Sequence, residues 1–175
     1  MAHGDALEAV VHLLDTEVVW ALREASVGRC DPAVTDWATA QPRTGLFVSA
    51  LTLAELAAGA AHIAPTDRVA AASVRQWLDG PVATAFDGRV LAIDSTVARR
   101  AGMLGYADLR DGLLAATALE HGLTLATRAP QAFRLGKVRA INPWAYRRDR
   151  EAEGGDWRQA IHGPPVWLRN LFARG

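Results

Sequence analysis

Residues 10–16 read Val10-Val11-His12-Leu13-Leu14-Asp15-Thr16. The run is short, mostly apolar and closed by an acid, which predicts a central strand buried on both faces. Leu46-Phe47-Val48-Ser49-Ala50, Arg89-Val90-Leu91-Ala92-Ile93 and Leu123-Thr124-Leu125-Ala126-Thr127 have the same character. Val138-Arg139-Ala140-Ile141 is a shorter fifth strand, stopped by Asn142-Pro143. Helical spacing fills the intervals. Val18, Val19 and Leu22 share one side of a helix from Glu17 to Ala25, and Asp31-Pro32 opens another, with Asp as cap and Pro first, through Trp37 to Ala40. Thr52 opens an alanine-rich helix to Ile63, and Pro65-Thr66-Asp67 begins a long one carrying Val69, Val74, Trp77 and Leu78. Asp94-Ser95-Thr96 caps Val97 to Leu104, and the helix from Leu109 to Glu120 stops at His121-Gly122. Short strands alternating with helices predict an α/β fold, a three-layer sandwich around a central parallel sheet of about five strands. Ligands of such sheets bind outside the carboxyl ends of the strands, where Asp15 falls.

The chain has 175 residues, enough for one domain and a short appendage. Residues 1–145 carry the strand and helix pattern. From residue 146 to 175 the character changes to a basic, tryptophan-containing extension with the charge run Arg147-Arg148-Asp149-Arg150-Glu151 and the chain-breaking Gly154-Gly155 and Gly163-Pro164-Pro165. Trp157, Trp167, Leu168, Leu171 and Phe172 are too few for a core of their own and are expected to pack on the body or on a partner. The 19 basic and 19 acidic residues cancel, which removes any overall pull toward nucleic acid. Their distribution is uneven, however: 15 acids and 10 bases precede Arg134, while 4 acids and 9 bases lie from Arg134 onward. An acidic cleft beside a basic tail suits a metal ion plus RNA, and a tail docked on its own acidic body explains the asymmetry equally well. The lone Cys30 permits no internal disulfide, residues 1–9 lack the pattern of a signal peptide, and no run is long enough to span a membrane. A cytoplasmic protein without membrane contact is the expectation.

Asp15, Glu55 and Asp111 each stand at the edge of an apolar segment where the predicted cleft opens. Scattered carboxylates converging on one cleft are a means of holding Mg²⁺ or Mn²⁺ for phosphodiester chemistry. Each also has a local explanation. Asp15 can cap the next helix, Glu55 can close a capping box with Thr52, and Asp111 can complement a helix dipole in a first turn. Taken together, three acids opening apolar segments are costly unless a cation gathers them. Asp108 is a weaker candidate, three residues before Asp111 on the same helix face. Arg110 and Arg128 can contact phosphate, and Arg110 can instead pair with Asp108 or Asp111. Thr127 can serve the site or the strand-end backbone. His12, His62, His121 and His162 lack metal-ligand spacing, and Trp37, Trp77 and Trp144 read as core. A phosphoacceptor role for Asp15 finds no supporting lysine, since Lys137 is the only one.

Five blocks in order then carry a resemblance: Leu13-Leu14-Asp15-Thr16, Ser49-Ala50-Leu51-Thr52-Leu53-Ala54-Glu55-Leu56, Asp111-Gly112-Leu113-Leu114-Ala115-Ala116-Thr117-Ala118, Gly122-Leu123-Thr124-Leu125-Ala126-Thr127-Arg128 and Ile141-Asn142-Pro143-Trp144. Over roughly residues 10–145 the chain resembles PIN-domain proteins of the VapC/FitB toxin type. The resemblance implies a Mg²⁺- or Mn²⁺-dependent endoribonuclease, the toxin of a type II toxin–antitoxin pair, forming a homodimer and restrained by a cognate antitoxin. It places Asp15, Glu55 and Asp111 in the metal site as catalytic ligands, with Thr127 and Arg128 behind them or on phosphate. The chain departs from the family at three positions. Glu17 stands where the family usually has Asn and is a further candidate ligand. Ala129 also replaces an Asn, and the fourth acid expected near Ala132 is missing. A catalytically weakened or inactive PIN-like protein, kept for dimerisation or partner binding, is the alternative expectation.

Overall fold

The computed structural model describes residues 10–25, 28–147 and 166–172. The expectations for residues 1–9, for Trp157 and for the Gly- and Pro-rich breaks of the tail lie outside them. The strands are β1 (His12–Leu14), β2 (Leu46–Ser49), β3 (Val90–Leu91), β4 (Thr124–Ala126) and β5 (Ala140–Ile141). The helices are α1 (Thr16–Glu24), α2 (Pro32–Ala40), α3 (Ala50–Ile63), α4 (Arg68–Trp77), α5 (Ala83–Ala85), α6 (Ser95–Met103), α7 (Leu109–Glu120) and α8 (Val166–Phe172).

All strand pairings are parallel, in the order β3-β2-β1-β4-β5. β1 is central, with Leu13 opposite both Phe47 and Leu125, and every β1 residue is buried. The outer β3 and β5 pair over only two residues each, so they are shorter than their apolar runs. Alternation along the strands divides the core. Leu14, Leu46, Val48 and Ala126 face a cluster with Val18, Val19, Leu22, Val34 and Trp37, from α1 and α2. Leu13 and Leu125 face the opposite way, onto Leu114, Ala115 and Ala118 of α7. Behind α7 lies α6. There a Cβ on Gly112 would meet the Ala101 carbonyl at 3.3 Å, so the absence of a side chain permits the close approach.

The chain's order explains where a cleft can open. From β1 the path moves outward to β2 and β3 on one side, then returns to β4 on the other. Connections therefore diverge between β1 and β4, and the crevice forms at their carboxyl ends. Helix starts set what enters it. Asp31, Asp67, Asp94 and Asp108 each cap a helix by accepting backbone N–H bonds. α3 begins earlier than the sequence suggests, because Ser49 Oγ accepts from the Leu51 N–H at 3.2 Å. Thr52 is then inside the helix, donating to the Leu14 carbonyl at 3.3 Å. The long helix expected after Pro65 begins at Arg68 and widens into a π turn, Leu78–Val82, around Pro81, which has no N–H to donate.

α8 joins the first cluster. Leu168 and Leu171 are fully buried, and the Trp77 indole N–H donates to the Leu171 carbonyl at 2.7 Å. Trp77 in turn stacks on Trp20 at 5.8 Å. Among the described residues no helix is long and apolar enough to cross a membrane.

Replacing Leu171 with Ala is expected to lower the unfolding free energy by about 2–5 kcal/mol, the usual range for a fully buried leucine, in urea denaturation of the full chain. His12 supplies a second expectation. Its ring is buried edge-on against Trp37 at 5.2 Å, and its Nδ1 has no hydrogen-bond partner. Burial lowers its pKa below 6.5, so the folded state holds fewer protons than the unfolded one. This stability contribution is complete above the unfolded pKa and declines as pH falls through it. Between about pH 7 and pH 5.5, His12→Phe should lose less melting temperature than the wild type.

Candidate active site

The crevice is occupied from both of its strands. Asp15 follows β1, is 4% exposed, and accepts the Thr16 N–H on Oδ1 at 2.7 Å. Thr127 follows β4, is equally enclosed, and donates Oγ1 to Asp15 Oδ2 at 2.8 Å. The two strand ends are further tied by the Asp15 N–H, which donates to the Ala126 carbonyl at 3.0 Å. Glu55 reaches in from the second turn of α3, and Asp111 from the first turn of α7. The capping box suggested by Thr52 and Glu55 does not form. Ser49 has taken the cap, and Glu55 Oε2 accepts instead from Thr16 Oγ1.

At the centre of the three acids lies Arg110. Its Nε donates to Glu55 Oε1, its Nη2 to Asp15 Oδ1, and its Nη1 to Asp111 Oδ1 at 3.1 Å. Three carboxylates share one guanidinium, so two negative charges remain in excess. Burial alone would pull the Arg110 pKa down. The hydrogen bond to Glu55 and the charge of Asp15 outweigh it, and the pKa is raised above its ordinary value. Arg110 does not pair with Asp108, whose carboxylate is used on the Arg110 backbone N–H at 2.9 Å.

These residues line a cleft of about 310 Å³ together with Glu17, Ala129, Ala132 and Phe133. Glu17 is exposed at its rim, shared with a neighbouring groove of about 450 Å³. Arg128 belongs to that groove and lies over the Trp144 ring at 4.6 Å, so Trp144 is a partly exposed platform, whereas Trp37 and Trp77 are core. The structure thus gathers Asp15, Glu55, Asp111 and Thr127, puts Glu17 on the rim, and leaves Arg128 next door. The sequence reading missed the hydroxyl of Thr16 and the central place of Arg110. The adjacency of each to an acid is the only local mark they carry.

The donor set is oxygen alone and anionic, which suits a hard divalent cation. The present arrangement does not. Among the described residues no three acidic, histidine or cysteine side chains are disposed to hold a metal ion. Arg110 stands between the acids that would have to share it.

The PIN domain family matches residues 13–137, which takes in β2, β3, β4, all but the first residue of β1, and all three acids. The chain belongs to the PIN-domain family. It is 37% identical over 145 residues to a VapC ribonuclease of Sinorhizobium fredii, covering 75% of this chain and 96% of that protein. It is 32% identical to the toxin FitB of Neisseria gonorrhoeae, covering 75% and 97%. In structure it is similar to the FitAcB crystal structure from Neisseria gonorrhoeae, with a TM-score of 0.69 and 30% identity over 77% of this chain and 99% of that one. α8 lies beyond the matched PIN segment.

Thr127→Val removes the hydroxyl from a buried carboxylate while keeping the side chain's shape. It should destabilise the fold by about 1–3 kcal/mol in chemical denaturation, the range for a buried acceptor left unsatisfied.

Proposed function

We propose that the protein is a metal-dependent endoribonuclease, the toxin of a type II toxin–antitoxin pair. The observation that carries this reading is the convergence of Asp15, Glu55 and Asp111, from three separate elements, on one cleft at the carboxyl ends of β1 and β4. The names of the relatives, a VapC ribonuclease and the FitB toxin, supply the reaction class. Asp15, Glu55 and Asp111 would hold Mg²⁺ or Mn²⁺ once Arg110 has withdrawn, with Glu17 at the rim as an additional oxygen donor. Such an ion lowers the pKa of a bound water and neutralises charge on a phosphodiester.

The chain's own groups have separable tasks. Thr127 and the Thr16 N–H fix both oxygens of Asp15, and Thr16 Oγ1 fixes Glu55, so two of the three acids are oriented before any ligand arrives. Phe133 forms an apolar wall of the cleft. Arg128, stacked on Trp144 beside the cleft, offers a cation to the phosphates of a single RNA strand passing the rim. A cognate antitoxin is the proposed partner, in line with the FitAcB and FitAB structures among its structural relatives, and a second copy of the chain is proposed beside it.

A second reading rests on Ala129 and Ala132. Both line the cleft and neither side chain supplies an oxygen donor, so its acids are Asp15, Glu55 and Asp111 with Glu17 at the rim. On that reading the fold is retained for pairing with partners and hydrolysis is weak or lost.

Incubation of the purified chain with single-stranded and structured RNA decides between them. The nuclease reading expects cleavage with Mg²⁺ or Mn²⁺, none in EDTA, and a loss of at least about a hundredfold in Asp15→Asn with its circular dichroism unchanged. Cleavage by Asp15→Asn at the wild-type rate would refute the mechanism. No cleavage by the wild type under any of these conditions favours the scaffold.

A further inference from the structure

We propose that Arg110 is a resident counter-ion that a divalent cation must displace, so that ion binding and the position of this side chain are two states of one exchange. The inference rests on the reading of Asp15, Glu55 and Asp111 as the cation's ligands. It starts from stoichiometry. The guanidinium has three nitrogens, and each donates to a different carboxylate: Nη2 to Asp15 Oδ1, Nε to Glu55 Oε1 and Nη1 to Asp111 Oδ1. The oxygens that would be shared by an ion are therefore those already used. A cation bound to the same oxygens would also lie against a fixed positive charge, and the two occupancies exclude each other. A guanidinium cannot leave by giving up its proton. It must move.

The fold allows that movement to be local. Arg110 is in the first turn of α7, and its backbone N–H is pinned by the Asp108 cap at 2.9 Å. The side chain is 29% exposed and faces the open cleft of about 310 Å³. Rotation about its methylenes carries the guanidinium toward the mouth while α7 stays in place. Meanwhile Thr16 and Thr127 keep their bonds to Glu55 and Asp15, so two of the three acids retain their orientation. Arg110 thus has two opposed effects: it holds three like charges together without metal, and it weakens the metal's grip by competing for them.

Binding of Mn²⁺ to the full chain without RNA tests this, by calorimetry and by the electron paramagnetic resonance of free Mn²⁺. Arg110→Met, which keeps an unbranched apolar stem and removes the charge, is expected to bind Mn²⁺ roughly tenfold or more tightly than the wild type. Without metal its melting temperature should be lower, and saturating Mn²⁺ should raise it by more than in the wild type. Adding Asp15→Asn to Arg110→Met should abolish the gain, which places the ion among these acids. Equal or weaker Mn²⁺ affinity in Arg110→Met would overturn the exchange. If that variant does not fold, Arg110→Gln carries the comparison: it keeps a polar side chain without the charge, so tighter binding than wild type supports the exchange and unchanged affinity overturns it. Failure of the wild type and both variants to bind Mn²⁺ would instead remove the cation site itself, a result distinct from loss of the exchange alone.

Discussion

Like charges cannot be gathered at the mouth of an apolar sheet without a cation among them. Asp15 is almost fully enclosed, and Glu55 and Asp111 are half-buried beside it. Each would be penalised for its charge in isolation, and more so in company. The Arg110 guanidinium answers for all three. Around that contact the rest of the region becomes intelligible. β1 and β4 must be neighbours for Thr127 to reach Asp15, and the Ser49 cap frees Glu55 from helix-end duty to meet Arg110 and Thr16. The Asp108 cap fixes the backbone of the residue that supplies the cation.

Much of this was legible in the sequence because burial leaves a periodic mark. The apolar run that ends at Asp15 gives the central strand, and α7 occupies the residues its pattern and its C-cap glycine predict, Gly122 adopting a φ of +64°. Edge strands were less legible. Arg89 to Ile93 and Val138 to Ile141 are apolar enough for longer strands, but each has one paired neighbour, and the ladder stops after two residues. Local rules misread Glu55, since the Thr52–Glu55 spacing fits a capping box and only the competing Ser49 decides against it. For Arg110 the neighbouring Asp111 was within reach of local rules and does pair with it, but the long-range contacts were not. Its partners Asp15 and Glu55 are 95 and 55 positions away, and no periodicity encodes a contact of that range. Trp144 was judged with Trp37 and Trp77 as core, but it follows the edge strand β5 and stays partly open under Arg128.

The alanines at 129 and 132 acquire meaning from the same geometry. They sit on the wall of the acid cleft, adjacent to Thr127 and Phe133. A carboxylate at either position would add a further negative charge beside three carboxylates that already exceed their shared guanidinium by two. With alanine there, one guanidinium is closer to sufficient. The composition of the rim and the presence of a bridging arginine are thus two sides of one charge balance.

α8 has a bearing on how the molecule comes into being. Its leucines complete a cluster begun by Leu14 and Val18, and Trp77 finds its hydrogen-bond acceptor only at Leu171. A chain emerging from the ribosome can pair β1, β2 and β4 early, but the side of the sheet that carries α1 stays unsealed until residue 171 is free of the exit tunnel. Sealing of that face therefore waits on α8, whatever the order in which the strands pair.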